Sequence, residues 1–316
     1  MDLRASIQAQ ERIGPYLKYT EALQTSELQA AMQLPFHVYL KQEYLQPTNS
    51  FKIRGAFNAL LSLTEEEKKL GVIFRSAGNF AQAAAYAGKL LKIPVTAVMP
   101  ENVSTVKLEG TKNYGACTIL AGTTHLEAEA KVQKLATETG SIILSPYNHE
   151  DVISGAGTIA LELLEQIIDL DTVLIPVGGG GLIAGIATVI KSINPLIRII
   201  GVEPELANDL QNSLRINIRT SSDTTIKALT SADGLRAQMV GDIPWQYIQK
   251  FVDEVVTVSE EEIFNAIKLY KRILDTYIEP SAAVSIAALT KLTHQLKKTA
   301  CIITGSNIDE ILKRQL

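Results

Sequence analysis

A chain of 316 residues, 46% hydrophobic and 20% charged, has material for one large core or two ordinary ones and is too apolar to be disordered. A net charge of −4 and a pI near 5.7 favour neither a nucleic-acid nor an anionic-membrane partner. The N-terminal residues lack the apolar stretch of a signal peptide, and no run approaches the roughly 18 apolar residues of a membrane span. The two cysteines, Cys117 and Cys301, have no metal-type spacing and read as buried free thiols in a reducing cytoplasm.

In chain order, residues 38–41 read as a short strand and 55–63 as the helix after it. Residues 71–74 are predicted as a strand, 76–79 as a turn and the Ala-rich stretch 81–91 as a strong helix. Strands follow at 95–99, ended by Pro100, and at 117–120, with a helix over about 126–137. Residues 141–144, 158–167 and 172–177 read as strand, helix and strand. A helix over 182–193 and a strand over 199–202 come next. This alternation predicts an α/β protein with parallel sheets flanked by helices. The polar, Ser/Thr-rich stretch 211–233 reads as a long loop, and loops of that length are often functional.

Three segments carry chemistry. Lys52 follows a polar Pro-Thr-Asn-Ser turn and precedes a helix, so it is either a surface lysine or an amine turned into a cleft, where it could form an imine with a carbonyl cofactor. Ser76-Ala77-Gly78-Asn79-Phe80 lies between strand and helix, either as a plain turn or as a seat for an anion such as a substrate carboxylate. Gly178, Gly179, Gly180 and Gly181 also lie between strand and helix. Four glycines cost backbone entropy, and what they provide is close approach and a fan of N–H donors at a positive helix end. This suits a phosphate. The run is neither GxGxxG with a downstream acid nor a P-loop, so no nucleotide is specified.

Five motifs in order, SFKIRGA (50–56), SAGNFAQ (76–82), VGGGGLIAGI (177–186), EPSAAV (279–284) and TGSNID (304–309), resemble those of fold-type-II pyridoxal-phosphate enzymes. Within that class the chain is most similar to the serine/threonine dehydratase and serine racemase group, from about residue 13 to 309. The resemblance implies a two-domain, tryptophan synthase β-like α/β fold. The large domain would comprise residues 1–67 and 149–316, and a small mobile domain residues 68–148, with the cofactor between them. It implies that Lys52 holds pyridoxal 5′-phosphate as a Schiff base and removes the Cα proton, with Ser76 as the second catalytic residue. Phe51 would pack beside the ring, Asn79 would meet its 3′ oxygen, and Gly178 to Gly181 would hold the phosphate. Gly234 would lie against the ring, with Glu279 near its edge, unless Glu279 is simply an acid at a helix N-terminus. Ser76, Gly78 and Asn79 would receive the substrate carboxylate, and Tyr114 would cap the site, unless it is a buried structural tyrosine. Thr304 would face the pyridine nitrogen. A neutral hydroxyl there leaves the ring a weaker electron sink than a carboxylate would, which favours elimination over transamination. Glu203, the Ala207 carbonyl and Asp209 match a Mg²⁺ or Ca²⁺ site of some relatives, or else are solvated acids in a strand-end loop.

Two departures bear on activity. Ala77 stands where racemases of this group have a serine on the ring face opposite the lysine, which argues for dehydration. Phe80 replaces the usual histidine and is expected to alter the substrate pocket. His37, His125, His149 and His294 are scattered and read as structural. The implied protein is a cytoplasmic L-threonine/L-serine dehydratase, a homodimer or homotetramer acting on a small amino acid, without nucleic-acid or membrane partners. A 3-hydroxyaspartate ammonia-lyase, a serine racemase and a non-catalytic pyridoxal-phosphate-binding protein are the alternatives.

Overall fold

The computed structural model describes residues 2–292, 297–314 and 316, so His294 lies outside the described residues. Ten strands are β1 (Ala22–Gln24), β2 (His37–Gln42), β3 (Val72–Arg75), β4 (Val95–Met99), β5 (Cys117–Leu120), β6 (Ile142–Ile143), β7 (Thr172–Pro176), β8 (Arg198–Pro204), β9 (Glu254–Val258) and β10 (Lys298–Ile303). They form two sheets. The larger has the order β1-β2-β10-β7-β8-β9 and the smaller β5-β4-β3-β6. Among the described residues only the β1–β2 strand pair is antiparallel. Parallel strands need long crossovers, and the helices supplying them cover both faces of each sheet. That is why β7, at the centre of the larger sheet, is buried at every position.

After β2 the chain leaves the larger sheet through the helix Lys52–Ser62, builds the whole smaller sheet, and returns through the helix Glu150–Gln166. These two helices meet at backbone distance. A Cβ on Gly55 would lie 2.7 Å from the Val152 carbonyl oxygen, and one on Gly155 would lie 2.6 Å from that of Arg54. The apolar face of the Lys52 helix (Ile53, Ala56, Phe57, Leu60) shares a core with Phe74, Phe80, Ala81 and Ala84 of the smaller sheet and its helix Asn79–Leu91.

Several expectations need correction. The helix expected over 158–167 begins at Glu150, and the one expected from 55 begins at Lys52. The strand expected over 141–144 is two residues long. The stretch 211–233 is not simply a loop, since it holds most of the helix Asp209–Ile216 and the single-turn helix Thr224–Lys227. Cys117 is exposed on the edge strand β5, and only Cys301 is buried. Among the described residues, no helix is long and apolar enough to cross a membrane.

Candidate active site

Lys52 opens its helix at the C-terminal end of the larger sheet, where ligands of open parallel sheets gather. The turn before it is tied to the segment after β10: Phe51 N–H donates to the Thr304 carbonyl at 3.0 Å, and Ser50 bridges Gly305. The Lys52 Nζ stands 4.9 Å from the centre of the Phe51 ring. Burial pushes its amine down to about 8, against the opposing pull of Glu279. A lysine of that kind has a sizeable neutral, nucleophilic fraction near neutral pH.

The Lys52 helix is anchored from below by four buried charges. The Arg54 guanidinium donates to Glu43 through Nε (2.7 Å) and Nη2 (2.8 Å), and to Glu162 through Nη1 (2.7 Å) and Nη2 (2.9 Å). Lys41 donates to Glu162 at 2.5 Å and to the Thr20 carbonyl at 2.6 Å. Burial alone would raise the Glu43 carboxyl, but Arg54, with Lys41 and Thr20, holds it below the usual range. Sequence reading missed this cluster because Lys41 and Glu162 are far apart in the chain; Arg54 inside SFKIRGA was its one local sign.

Opposite Lys52, the loop from β3 to the helix Asn79–Leu91 carries Ser76 to Asn79. Gly78 faces open space, since a Cβ there would meet nothing within 4 Å. The Asn79 amide nitrogen donates to both oxygens of the buried Glu279, at 3.0 and 2.9 Å. Burial pushes the Glu279 carboxyl up to about 7, and Asn79 works against the rise. Asn307, not singled out from sequence, donates to Asn79 Oδ1 at 2.9 Å and to the Thr48 carbonyl at 3.0 Å. For Asn79 to donate to a cofactor oxygen, one of its hydrogens must leave Glu279. The Thr304 hydroxyl is buried and has no hydrogen-bond partner among the described residues.

The glycine run turns from β7 into the helix Gly181–Ile193, whose first N–H groups have no partners within the helix. Gly180 has φ +87°, a conformation that favours glycine. A Cβ on Gly179 would fall 2.2 Å from the Tyr147 ring, and one on Gly178 would lie 3.0 Å from the Leu235 backbone. The run is therefore shaped by close packing as well as by what its N–H groups can hold. Gly234 N–H donates to Ser281 Oγ at 3.0 Å, and its neighbour Asp233 pairs with Lys107 on the helix Thr105–Asn113 of the smaller sheet.

One expected residue points elsewhere. Phe80 is buried in the core with its ring edge-on to Phe74 at 5.2 Å, so it does not face the Ser76–Asn79 opening. Tyr114 packs edge-on against Tyr86 at 5.6 Å; among the described residues no hydrogen bond joins it to Asn79 or Glu279.

A lysine with a lowered amine, a glycine-rich helix N-terminus and a strand-end hydroxyl are groups that an enzyme built on a carbonyl cofactor with a phosphate arm requires. Residues 13–305 match the family described as "Pyridoxal-phosphate dependent enzyme", and the chain belongs to it. It is 43% identical to the L-threonine ammonia-lyase of Thermotoga maritima over 86% of this chain and 67% of that protein. To the L-threo-3-hydroxyaspartate ammonia-lyase of Saccharomyces cerevisiae it is 37% identical over 96% of this chain and 92% of the other. The structure of maize serine racemase superposes with a TM-score of 0.93 at 35% identity, covering 99% and 96% of the two chains.

The cleft fits the cofactor. The orphaned Thr304 hydroxyl, the open space at Gly78 and the free N–H groups after Gly180 are polar or spatial features that the protein itself leaves unused. The divalent ion does not fit. Both oxygens of Glu203 already accept from the N–H groups of Leu210 (2.8 Å) and Gln211 (2.9 Å). Asp209 accepts from Ser222 N–H at 2.6 Å and from the Lys227 ammonium. Among the described residues no cluster of three or more His, Cys, Asp or Glu side chains could hold a metal.

Proposed function

We propose that the chain is an L-threonine/L-serine ammonia-lyase, removing water from a β-hydroxy amino acid to leave a 2-oxo acid and ammonia. The observation that carries this reading is Ala77. Between Ser76 and Gly78, it carries only a methyl group at the position where the racemases that this chain resembles carry a serine, so it supplies no acid for racemisation. Bound pyridoxal phosphate would supply the electron withdrawal that weakens the Cα–H bond. Lys52 would hold it, Gly178 to Gly181 its phosphate, and Phe51, Gly234 and Glu279 its ring. Thr304 would meet the ring nitrogen as a neutral hydroxyl.

The residues then divide the work. The N–H groups and hydroxyl of the Ser76–Asn79 loop bind the substrate carboxylate and orient Cα toward Lys52. With substrate bound, Lys52 would accept the Cα proton, a role suited to an amine lowered to about 8. The proton that Lys52 takes from Cα can pass to the departing β-hydroxyl, which would leave as water, and hydrolysis of the released enamine then gives oxo acid and ammonia. The smaller sheet, with its Lys107 contact to Asp233, closes over the cleft and excludes bulk water.

The test is a panel of L- and D-serine, L-threonine and 3-hydroxyaspartate, assayed for oxo acid, ammonia and enantiomer, beside the near-ultraviolet and visible spectrum. L-threonine and L-serine should release oxo acid, and Lys52→Ala should lose the cofactor band. Conversion of L- to D-serine as fast as ammonia release, or turnover of hydroxyaspartate alone, would refute the assignment.

A further inference from the structure

Lys227 is 3% exposed, although it sits on a helix of four residues in the Ser/Thr-rich stretch. An ammonium has three hydrogens and no acceptor, and burying one is costly unless all three are bonded. Here all three are: to Asp209 Oδ2, to the Ala237 carbonyl at 2.7 Å and to the Gln238 carbonyl at 3.1 Å. The site is thus a cage of oxygens, one of them anionic, closed around a positive charge, which is the donor set a hard cation selects. Glu203 is near enough for the charges of both Asp209 and Lys227 to act on it. A second cation at Asp209 would face the ammonium across a few ångströms with no spare carboxylate oxygen to receive it.

The cage also has a position in the fold. Asp209 begins one helix, Lys227 ends a second, and Ala237–Gln238 lie on the return path, so one ammonium ties the stretch together from inside. That stretch presents Gly234 to Ser281 and the Leu235 backbone to Gly178 of the glycine run.

We propose that the Lys227 ammonium is a resident cation of this chain, filling the position at Asp209 that a divalent ion would take and fixing the 233–238 segment against the glycine run without metal. Lys227 is then a positioning residue, and the holoenzyme is indifferent to divalent ions. Melting temperature tests this without turnover, so a failed substrate assignment and a failed cation assignment give different results.

The wild-type holoenzyme should melt at the same temperature in excess EDTA and in millimolar Ca²⁺ or Mg²⁺; a saturable rise with either ion overturns the proposal. Lys227→Ala, which opens room among the same oxygens, should melt roughly 5–8 °C lower in EDTA and recover part of the loss in Ca²⁺. Lys227→Met, which fills the room without charge, should show the loss and no recovery. An alanine variant as stable as wild type overturns the proposal. So does one that is destabilised but unmoved by Ca²⁺, because a residue that only packs would behave that way. If Lys227→Ala does not fold, the wild-type and methionine measurements decide.

Discussion

Replacing Arg54 by methionine should be among the most damaging changes available outside the cleft. The substitution keeps most of the side-chain volume and removes four hydrogen bonds to two carboxylates, Glu43 (0% exposed) and Glu162 (4% exposed). Lys41 is left to face both. Stranding buried charge in this way costs about 3–5 kcal/mol. Unfolding entropy near 2.1 cal/mol/K per residue, over 316 residues, converts this to a melting temperature lower by about 5–8 °C. The loss should depend on pH. In the wild type, Glu43 is held below its unfolded value near 4.3, so its contribution is present above that pH and fades as pH falls through the lower, folded value. In the variant, burial without Arg54 raises the same carboxyl. Acid then restores a neutral group that needs no partner, and the gap between the proteins narrows. Thermal unfolding of both at pH 8 and pH 5 would show this. A loss under about 2 °C, or one equal at the two pH values, would refute the argument.

Uptake of pyridoxal phosphate by the apoprotein should rise roughly tenfold per pH unit and level off near pH 8, following the neutral Lys52 amine; a rise continuing to pH 10 would mean an ordinary lysine. Gly179→Ala pushes a methyl group into the Tyr147 ring and should weaken cofactor binding by about tenfold or more, measured by absorbance titration, with partial recovery when Tyr147 is also replaced by alanine. Phe80→His places a polar ring in the core against Phe74 and should cost about 1–3 kcal/mol in denaturant titration, while leaving the ratio of serine to threonine kcat/KM within about twofold.

The parallel strands were readable because they are short apolar runs between turn residues, as at 95–99 and 172–177. The polar helix expected over 126–137 was also readable, as His125–Thr139, but others were not. The helix Asp209–Ile216 has its first N–H groups bonded by Glu203, a residue outside it, so no local capping pattern marks its start. Gly155 and Gly157 obscured the first turns of Glu150–Gln166, and their reason is the approach of the Lys52 helix and of Ser6, which only tertiary structure reveals. The motif residues Lys52, Asn79, Glu279 and Thr304 do converge. What a motif does not encode is side-chain direction. Phe80 shares a pentapeptide with Asn79 and turns to the opposite side, and the Lys227 and Arg54 networks join charges from distant segments.

The exposed thiol of Cys117 on the edge of the smaller sheet has a practical consequence. Burial raises the Cys301 thiol and keeps it inert, so a maleimide dye should attach at Cys117 alone. The single tryptophan of the chain, Trp245, lies on the helix Asp242–Phe251, which packs against Gly180. The native sequence therefore carries a fluorescence donor beside the glycine run and an attachment point for an acceptor on the smaller sheet, so the proposed closure can be tested without altering a residue.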